Sequence, residues 1–163
     1  MNLVYFLVSE DVVLDSRSNK VSVLKLVEHV HLDDLAVKFV SKSDVVWVRT
    51  PLVACCCFRW EPNEDRAESD PNFEIAIKTP TRTIPPVPFS SKFQGKELAR
   101  SYIDLPGLPD DGPGTYEIVL IYPTVDGLAE ASWPIEVTVD EPVVDVAESE
   151  QPSGDDIPEI TTG

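Results

Sequence analysis

The chain has 163 residues, of which 29 are acidic and 13 basic, and its formal net charge is -16. Hydrophobic residues make up 42%, enough for the core of one domain. The charge argues against free nucleic acid and anionic membranes as partners, and no apolar run approaches the roughly 20 residues that a membrane-spanning helix needs.

The first 27 residues predict a β-hairpin. Leu3–Val8 is continuously apolar, which is typical of a strand covered on both faces, and Val12–Leu14 extends it. This stretch lacks a preceding Lys or Arg and a small-residue cleavage site, so we interpret it as a strand of a cytoplasmic protein and not as a secretory signal. Turn residues at Asp15–Asn19 lead into a second strand at Lys20–Val27.

His29 and His31 are the only histidines, and in a strand this spacing places both imidazoles on one face. With Asp33 or Asp34 nearby, they form the best candidate for a metal site in the chain. No further histidine is available to complete a catalytic zinc site. The favoured interpretation is therefore a solvated pair of imidazoles near a strand end, and we assign no metal ligand.

Between residues 33 and 60 the pattern changes. Leu35, Ala36, Phe39 and Val40 have the spacing of a short helix capped by Asp33, although strand remains the alternative for residues 29–48. The apolar runs 45–48 and 52–60 predict strands separated at the intervening proline.

Three consecutive cysteines, Cys55, Cys56 and Cys57, lie in the second of these strands. Alternation places Cys56 on one face and its two neighbours on the other, so no pair suits a disulfide. The spacing does not suit a metal site, and the segment supplies no histidine base for a nucleophile. We predict three free thiols that behave as small buried hydrophobic side chains in a reducing compartment.

An acidic cluster at residues 61–70, EPNEDRAESD, predicts an exposed loop. Its carboxylates are candidate Ca²⁺ ligands: Glu61, Glu64, Asp65, Glu68 and Asp70. They lack the alternating oxygen ligands and central glycine of a calcium loop, so a solvated loop is the favoured interpretation.

The next segments predict strands that flank a proline-rich stretch. Phe73, Ile75 and Ile77 alternate with more polar residues, which indicates a strand. Residues 79–89 hold four prolines and predict a loop or an edge segment, and the alternative of a polyproline ligand at Pro85-x-x-Pro88 is weaker. A further strand follows at residues 97–105.

The last predicted strands are 115–122 and 133–139, joined by a tight turn at Asp126-Gly127. The inward positions of the final strand are Trp133, Ile135, Val137 and Val139. In total, about seven to nine short strands predict an all-β fold, an antiparallel β-sandwich over residues 1–139. Residues 140–163 hold eight acidic residues and no Lys or Arg, which predicts a disordered acidic tail.

The segment GPGTY at residues 112–116 resembles the turn into a late strand of an immunoglobulin-like sandwich. The resemblance implies that Tyr116 bonds back to the preceding loop, where Asp110 and Asp111 lie. Residues 3–139 also resemble a family of short bacterial and phage-borne proteins of unknown function. The segments that carry this resemblance are YFLVSED (5–11), KVSVL (20–24), the Pro-Leu strand (51–60), LPGLPDDGPGTYEIVL (105–120) and the strand after Asp126-Gly127. It implies a single all-β domain and no activity.

No phosphate-binding glycine loop, nucleophile elbow or HExxH motif is present. The carboxylate pairs Asp33-Asp34 and Asp110-Asp111 fall in predicted turns, so they carry little weight for acid–base chemistry. We therefore expect a non-enzymatic binding or accessory module without a cofactor. An unknown protein partner would meet an exposed strand edge, the proline-rich segment or the acidic loops. The alternatives are a small metal-dependent enzyme centred on His29 and His31, or an acidic decoy that mimics nucleic acid.

Overall fold

The computed structural model describes residues 1–15, 20–33, 36–41, 44–60, 72–90 and 97–140. Strands hold 76% of them, and no helix occurs in these ranges, so none of the described residues forms a helix able to cross a membrane. The predicted acidic loop with its Ca²⁺ candidates, and the tail beyond Asp140, lie outside the described residues.

Twelve strands follow one another in the described ranges. They are β1 (Asn2–Asp15), β2 (Lys20–Leu26), β3 (His29–Leu32), β4 (Lys38–Val40), β5 (Val46–Val48), β6 (Leu52–Arg59), β7 (Asn72–Lys78), β8 (Thr83–Ser90), β9 (Leu98–Leu105), β10 (Leu108–Pro109), β11 (Gly114–Thr124) and β12 (Gly127–Val139). The predicted number was too low because it did not include β3, β4 or β10.

The short helix predicted after Asp33 is wrong. Residues Lys38–Val40 form β4, which pairs with β5 through Lys38 with Val48, Phe39 with Trp47 and Val40 with Val46. The pairing satisfies backbone hydrogen bonds between strands, and this tertiary contact overrides the helical spacing of the apolar residues.

The strands form three sheets, of order β2-β1-β6-β9, β3-β12-β11-β7-β8 and β10-β5-β4. The predicted β1–β2 hairpin is confirmed, with Asp15 paired to Lys20. The β11–β12 hairpin confirms the turn at Asp126-Gly127, since Thr124 pairs with Gly127. All pairings are antiparallel except that of β3 with β12.

The proline-rich segment forms β8, an edge strand of the five-stranded sheet, as one of the two sequence alternatives predicted. Pro85, Pro86 and Pro88 lie in it, where the missing N–H groups cost least. β8 pairs only with β7 among the described strands.

One hydrophobic core joins the two larger sheets. Phe58 of β6 stacks on Phe73 of β7 with ring centroids 4.5 Å apart, and Tyr116, Ile118 and Leu120 of β11 are fully buried. Two expectations fail at the margins of this core. Val4 of β1 is 48% exposed where the register of β1 with β6 shifts between Leu3 and Tyr5, and Val139 is exposed as the last residue of β12.

Candidate functional site

An apolar groove of about 170 Å³ opens between β8 and β9, which are edge strands of the two larger sheets. Its walls come from both sheets and from β5. They include Trp47 of β5, Ile84, Val87 and Phe89 of β8, and Ile103 and Leu105 of β9. The groove therefore leads from a strand edge towards the core.

Trp47 lies in the groove wall with an unpartnered hydrogen-bond donor. The residue is only 8% exposed, and its indole Nε1 has no hydrogen-bond partner among the described residues. An indole N–H can only donate, and a buried tryptophan ordinarily finds an acceptor. Leaving such a group unsatisfied costs about 1–3 kcal/mol, so this buried N–H is an unsatisfied polar group in the wall of the groove.

Stacked aromatic rings support the inner wall of the groove, and its rim is open to solvent. Phe89 stacks on Phe73 at 5.4 Å between centroids, and Phe73 in turn stacks on Phe58 in the core. Val87 is 65% exposed at the rim, and Asp104, which is also exposed, is the only ionisable residue among the described residues of the lining. The described lining therefore offers mainly apolar surface, with one acidic residue at its rim.

His29 and His31 lie on the exposed face of β3, with Val30 between them in the strand. Nδ1 of His31 is 3.0 Å from Oγ1 of Thr138, and its Nε2 is 2.9 Å from Oδ1 of Asp140. Both ring nitrogens of His31 are therefore engaged.

His29 and His31 also line a shallow cleft of about 240 Å³, together with Glu10 and Thr50. The buried Oγ1 of Thr50 has no partner among the described residues, and Glu10 pairs with Lys25 at 2.7 Å. In the part of the chain that the structure describes, no group of three or more His, Cys, Asp or Glu side chains is placed to hold a metal ion. The cleft thus holds two imidazoles, and its one described carboxylate, Glu10, is not placed to hold a metal ion with them.

The Asp110–Asp111 pair is occupied by structural contacts. Nζ of Lys38 is 2.8 Å from Asp110. Arg82 donates to both carboxylate oxygens of Asp111, from Nη2 at 2.6 Å and from Nε at 2.8 Å, and Oγ1 of Thr79 donates at 2.7 Å. The Arg82 guanidinium lowers the pKa of Asp111, which keeps this carboxylate ionised and tied to the β7–β8 turn.

Tyr116 holds the same loop from the other side. Its hydroxyl accepts a hydrogen bond from the Asp111 N–H at 3.2 Å and lies 2.8 Å from the carbonyl oxygen of Gly112 and 3.2 Å from that of Pro109. Burial raises the pKa of this phenol, so it stays protonated and able to donate.

All three cysteines are buried and free, as predicted. Burial raises the pKa of the Cys56 thiol to about 12, and it raises the pKa of Cys55 and Cys57 as well. Thiols in this state are poor nucleophiles and poor metal ligands, because the reactive form is the thiolate. We therefore place no site at the cysteines.

Sequence patterns did not identify the groove. Trp47 carries no distinguishing signal in a Val-Trp-Val run, and the groove arises only when β8 and β9 come together. Comparison of the chain with protein-family models, curated proteins and solved structures finds no match. Function is consequently argued from the geometry of the groove and the cleft.

Proposed function

We propose that this chain is an immunoglobulin-like β-sandwich that acts as a non-enzymatic binding or accessory module through protein–protein contacts at the groove between β8 and β9. The observation that carries the proposal is an open, apolar groove whose wall includes Trp47, a buried tryptophan with an unpartnered Nε1. Interface centres are apolar, enriched in tryptophan and poor in charge, and this groove has that composition.

Two observations support the immunoglobulin-like part of the proposal. The hydroxyl of Tyr116 reaches back to Gly112, four residues earlier, in the manner of a tyrosine corner. Phe58 and Phe73 stack between two sheets whose inner faces alternate with outer ones, as sandwich packing requires.

The lining of the groove favours binding over catalysis. Acid–base chemistry needs a titratable group within reach of the reacting atoms, usually paired with a second one. Among the described residues of the groove lining, Asp104 is the only titratable one, and it is exposed at the rim.

The metal-dependent enzyme centred on His29 and His31 has less support, because Thr138 and Asp140 already engage both nitrogens of His31. Its test is metal analysis of the purified protein. Stoichiometric zinc or iron that is lost in a His29→Ala/His31→Ala variant would replace the binding proposal with this alternative.

The binding proposal is tested by affinity capture from the native host with two matched variants. Val87→Lys adds a charge at the groove rim, whereas Leu128→Lys adds the same charge at the β11–β12 turn, where Leu128 is 77% exposed. We expect Val87→Lys to lose a partner that the wild type and Leu128→Lys both retain. Equal capture by all three proteins would contradict a binding role for the groove.

A further inference from the structure

We infer that β9 accepts an extended segment of a protein partner as an additional strand. The added strand would place an apolar side chain in the groove and a basic side chain beside Asp104. This inference deepens the proposed binding function and rests on it. It follows from the edges of the sheets, the hydrogen-bond register of β9 and the faces of its side chains.

Among the described sheet edges, β9 is the one best suited to strand addition. Edges β3, β4 and β10 have only four, three and two residues. Edge β8 contains Pro85, Pro86 and Pro88, which have no N–H to donate. Edge β2 is interrupted at Lys25, whose φ of 55° departs from extended backbone. In contrast, β9 has eight residues and no proline.

The register shows which backbone groups of β9 point outward. The N–H of Trp60 donates to the carbonyl of Glu97 at 2.9 Å, and the antiparallel pairing of β6 with β9 continues from there to Leu52 with Leu105. Because antiparallel pairs alternate between hydrogen-bonded and non-hydrogen-bonded, the N–H and C=O groups of Arg100, Tyr102 and Asp104 face away from β6. No other described strand pairs with β9.

The side-chain faces place the partner's anchor in the groove. Ile103 and Leu105 line the groove, and their cross-strand neighbours Ala54 and Leu52 are buried in the core. Residues opposite them in an added strand would share this face and enter the same space. Cavities of about 150 Å³ hold one benzene, so 170 Å³ suits one side chain of Met, Phe or Tyr size.

Charge selects the flanking residues of the partner. Asp104 lies in β9 between Ile103 and Leu105 at the rim of the groove, and strand alternation directs its exposed side chain to the other face of the sheet. The chain carries a net charge of -16, and a basic segment is therefore steered towards it. The exposed Arg100 lies on the same face of β9, four residues before Asp104. The expected partner segment therefore has apolar residues that face the groove, a Lys or Arg opposite Asp104, and uncharged polar residues at its other outward positions.

The first test uses a peptide library of the form Ser-X-Ser-X-Lys-X-Ser-X-Ser, in which X is Val, Leu, Met, Phe or Tyr, and a matched library with Glu in place of Lys. We expect the full-length protein to bind members of the Lys library, measured by fluorescence anisotropy, and to bind the Glu library at least roughly tenfold more weakly. Equal binding of both libraries, or no Lys member with a Kd below about 1 mM, would overturn the inference.

The second test separates backbone pairing from charge at one position. Asp104→Asn keeps the outward N–H of residue 104 and removes only its charge, whereas Asp104→Pro removes both. We expect Asp104→Asn to lower the affinity for the selected peptides a few-fold and Asp104→Pro to lower it roughly tenfold or more. Equal affinities of the two variants would exclude pairing at this edge.

N-methylated peptides keep the test independent of whether Asp104→Pro folds. In an added edge strand, one alternate set of peptide amides donates to β9 and the other set faces solvent. We expect methylation of one set to abolish binding and methylation of the other set to leave it unchanged. Similar effects of both sets on the wild-type protein would rule out strand addition.

If Val87→Lys abolishes capture of the native partner but no library peptide binds, strand addition fails and the binding function stands. If capture is unaffected by Val87→Lys, the binding function itself fails.

Discussion

Asp111 illustrates how much of the fold depends on a single side chain. Its carboxylate is only 8% exposed and joins the loop after β10 to the turn between β7 and β8 through Arg82 and Thr79. Arg82 is more exposed, so solvent screens part of the attraction. The bidentate geometry nevertheless holds the pKa of Asp111 below its usual value.

This geometry predicts a pH dependence. The folded-state pKa of Asp111 is lowered, so its ionised form stabilises the fold above the unfolded-state value of about 3.9, and this contribution is lost as pH falls through the folded-state pKa. We expect Arg82→Gln to reduce the free energy of unfolding at pH 7. The difference from the wild type should shrink as the pH falls and Asp111 becomes protonated. Urea unfolding across the acid range measures the difference.

The matched control for this experiment is Lys78→Gln. Nζ of Lys78 lies 3.9 Å from Glu117 and 3.5 Å from Glu130 in an exposed, loose cluster. The substitution Lys78→Gln should therefore change the free energy of unfolding little at any pH. A difference between Arg82→Gln and wild type that stays constant with pH would show that Asp111 is not the group involved.

Sequence reasoning reached some of these residues and missed others. The GPGTY resemblance directed attention to Tyr116 and the neighbouring Asp110 and Asp111. It did not identify Arg82, which lies 29 residues before Asp111 in the chain. Nor did any pattern identify Trp47. The roles of both residues depend on contacts that local spacing does not encode.

At the scale of elements, alternation and turn chemistry predicted most strands close to their final bounds. The runs 52–60 and 97–105 correspond to β6 and β9, which differ by one residue at one end. The failure at β4 has a physical reason, since a three-residue strand is too short to show a period of two. Its conformation depends on its pairing with β5.

Two glycines allow a matched prediction about connections between strands. Both Gly107 and Gly127 have positive φ, but a Cβ on Gly107 would lie 2.0 Å from the carbonyl oxygen of Val48, while one on Gly127 would meet nothing within 4 Å. We expect Gly127→Ala to cost about 1–3 kcal/mol through backbone strain alone, and Gly107→Ala to cost more than about 4 kcal/mol. Urea unfolding of the two variants measures this, and equal losses would contradict the close approach.

At the scale of the whole molecule, the net charge separates into two parts. Residues 141–163 hold seven acidic residues and no base, so the rest of the chain carries a net charge of -9. Sequence composition assigned Asp140 to the tail, yet its carboxylate contacts His31 and its N–H approaches the carbonyl of Leu32 at 3.4 Å.

These contacts define the truncation that tests the acidic decoy. A chain ending at Asp140 should retain the free energy of unfolding of the full chain within about 0.5 kcal/mol, because the composition of the removed segment predicts little burial. It should also retain the partner captured by the wild type. Loss of the partner, with stability unchanged, would favour the decoy over the groove as the binding element.

The sequence by itself determined the all-β class, the two hairpins and the burial of the cysteines. It also restricted the proline-rich segment to a loop or an edge strand. These features depend on alternation, turn residues and hydrophobicity over a few neighbouring positions. Only the tertiary structure decided the strand order, the three sheets and the groove. β6 pairs with β9 across a long stretch of chain, since Val53 and its partner Asp104 are 51 positions apart, and Trp47 comes to the groove from a third sheet. Such pairings depend on the packing of the whole chain, which no local pattern specifies.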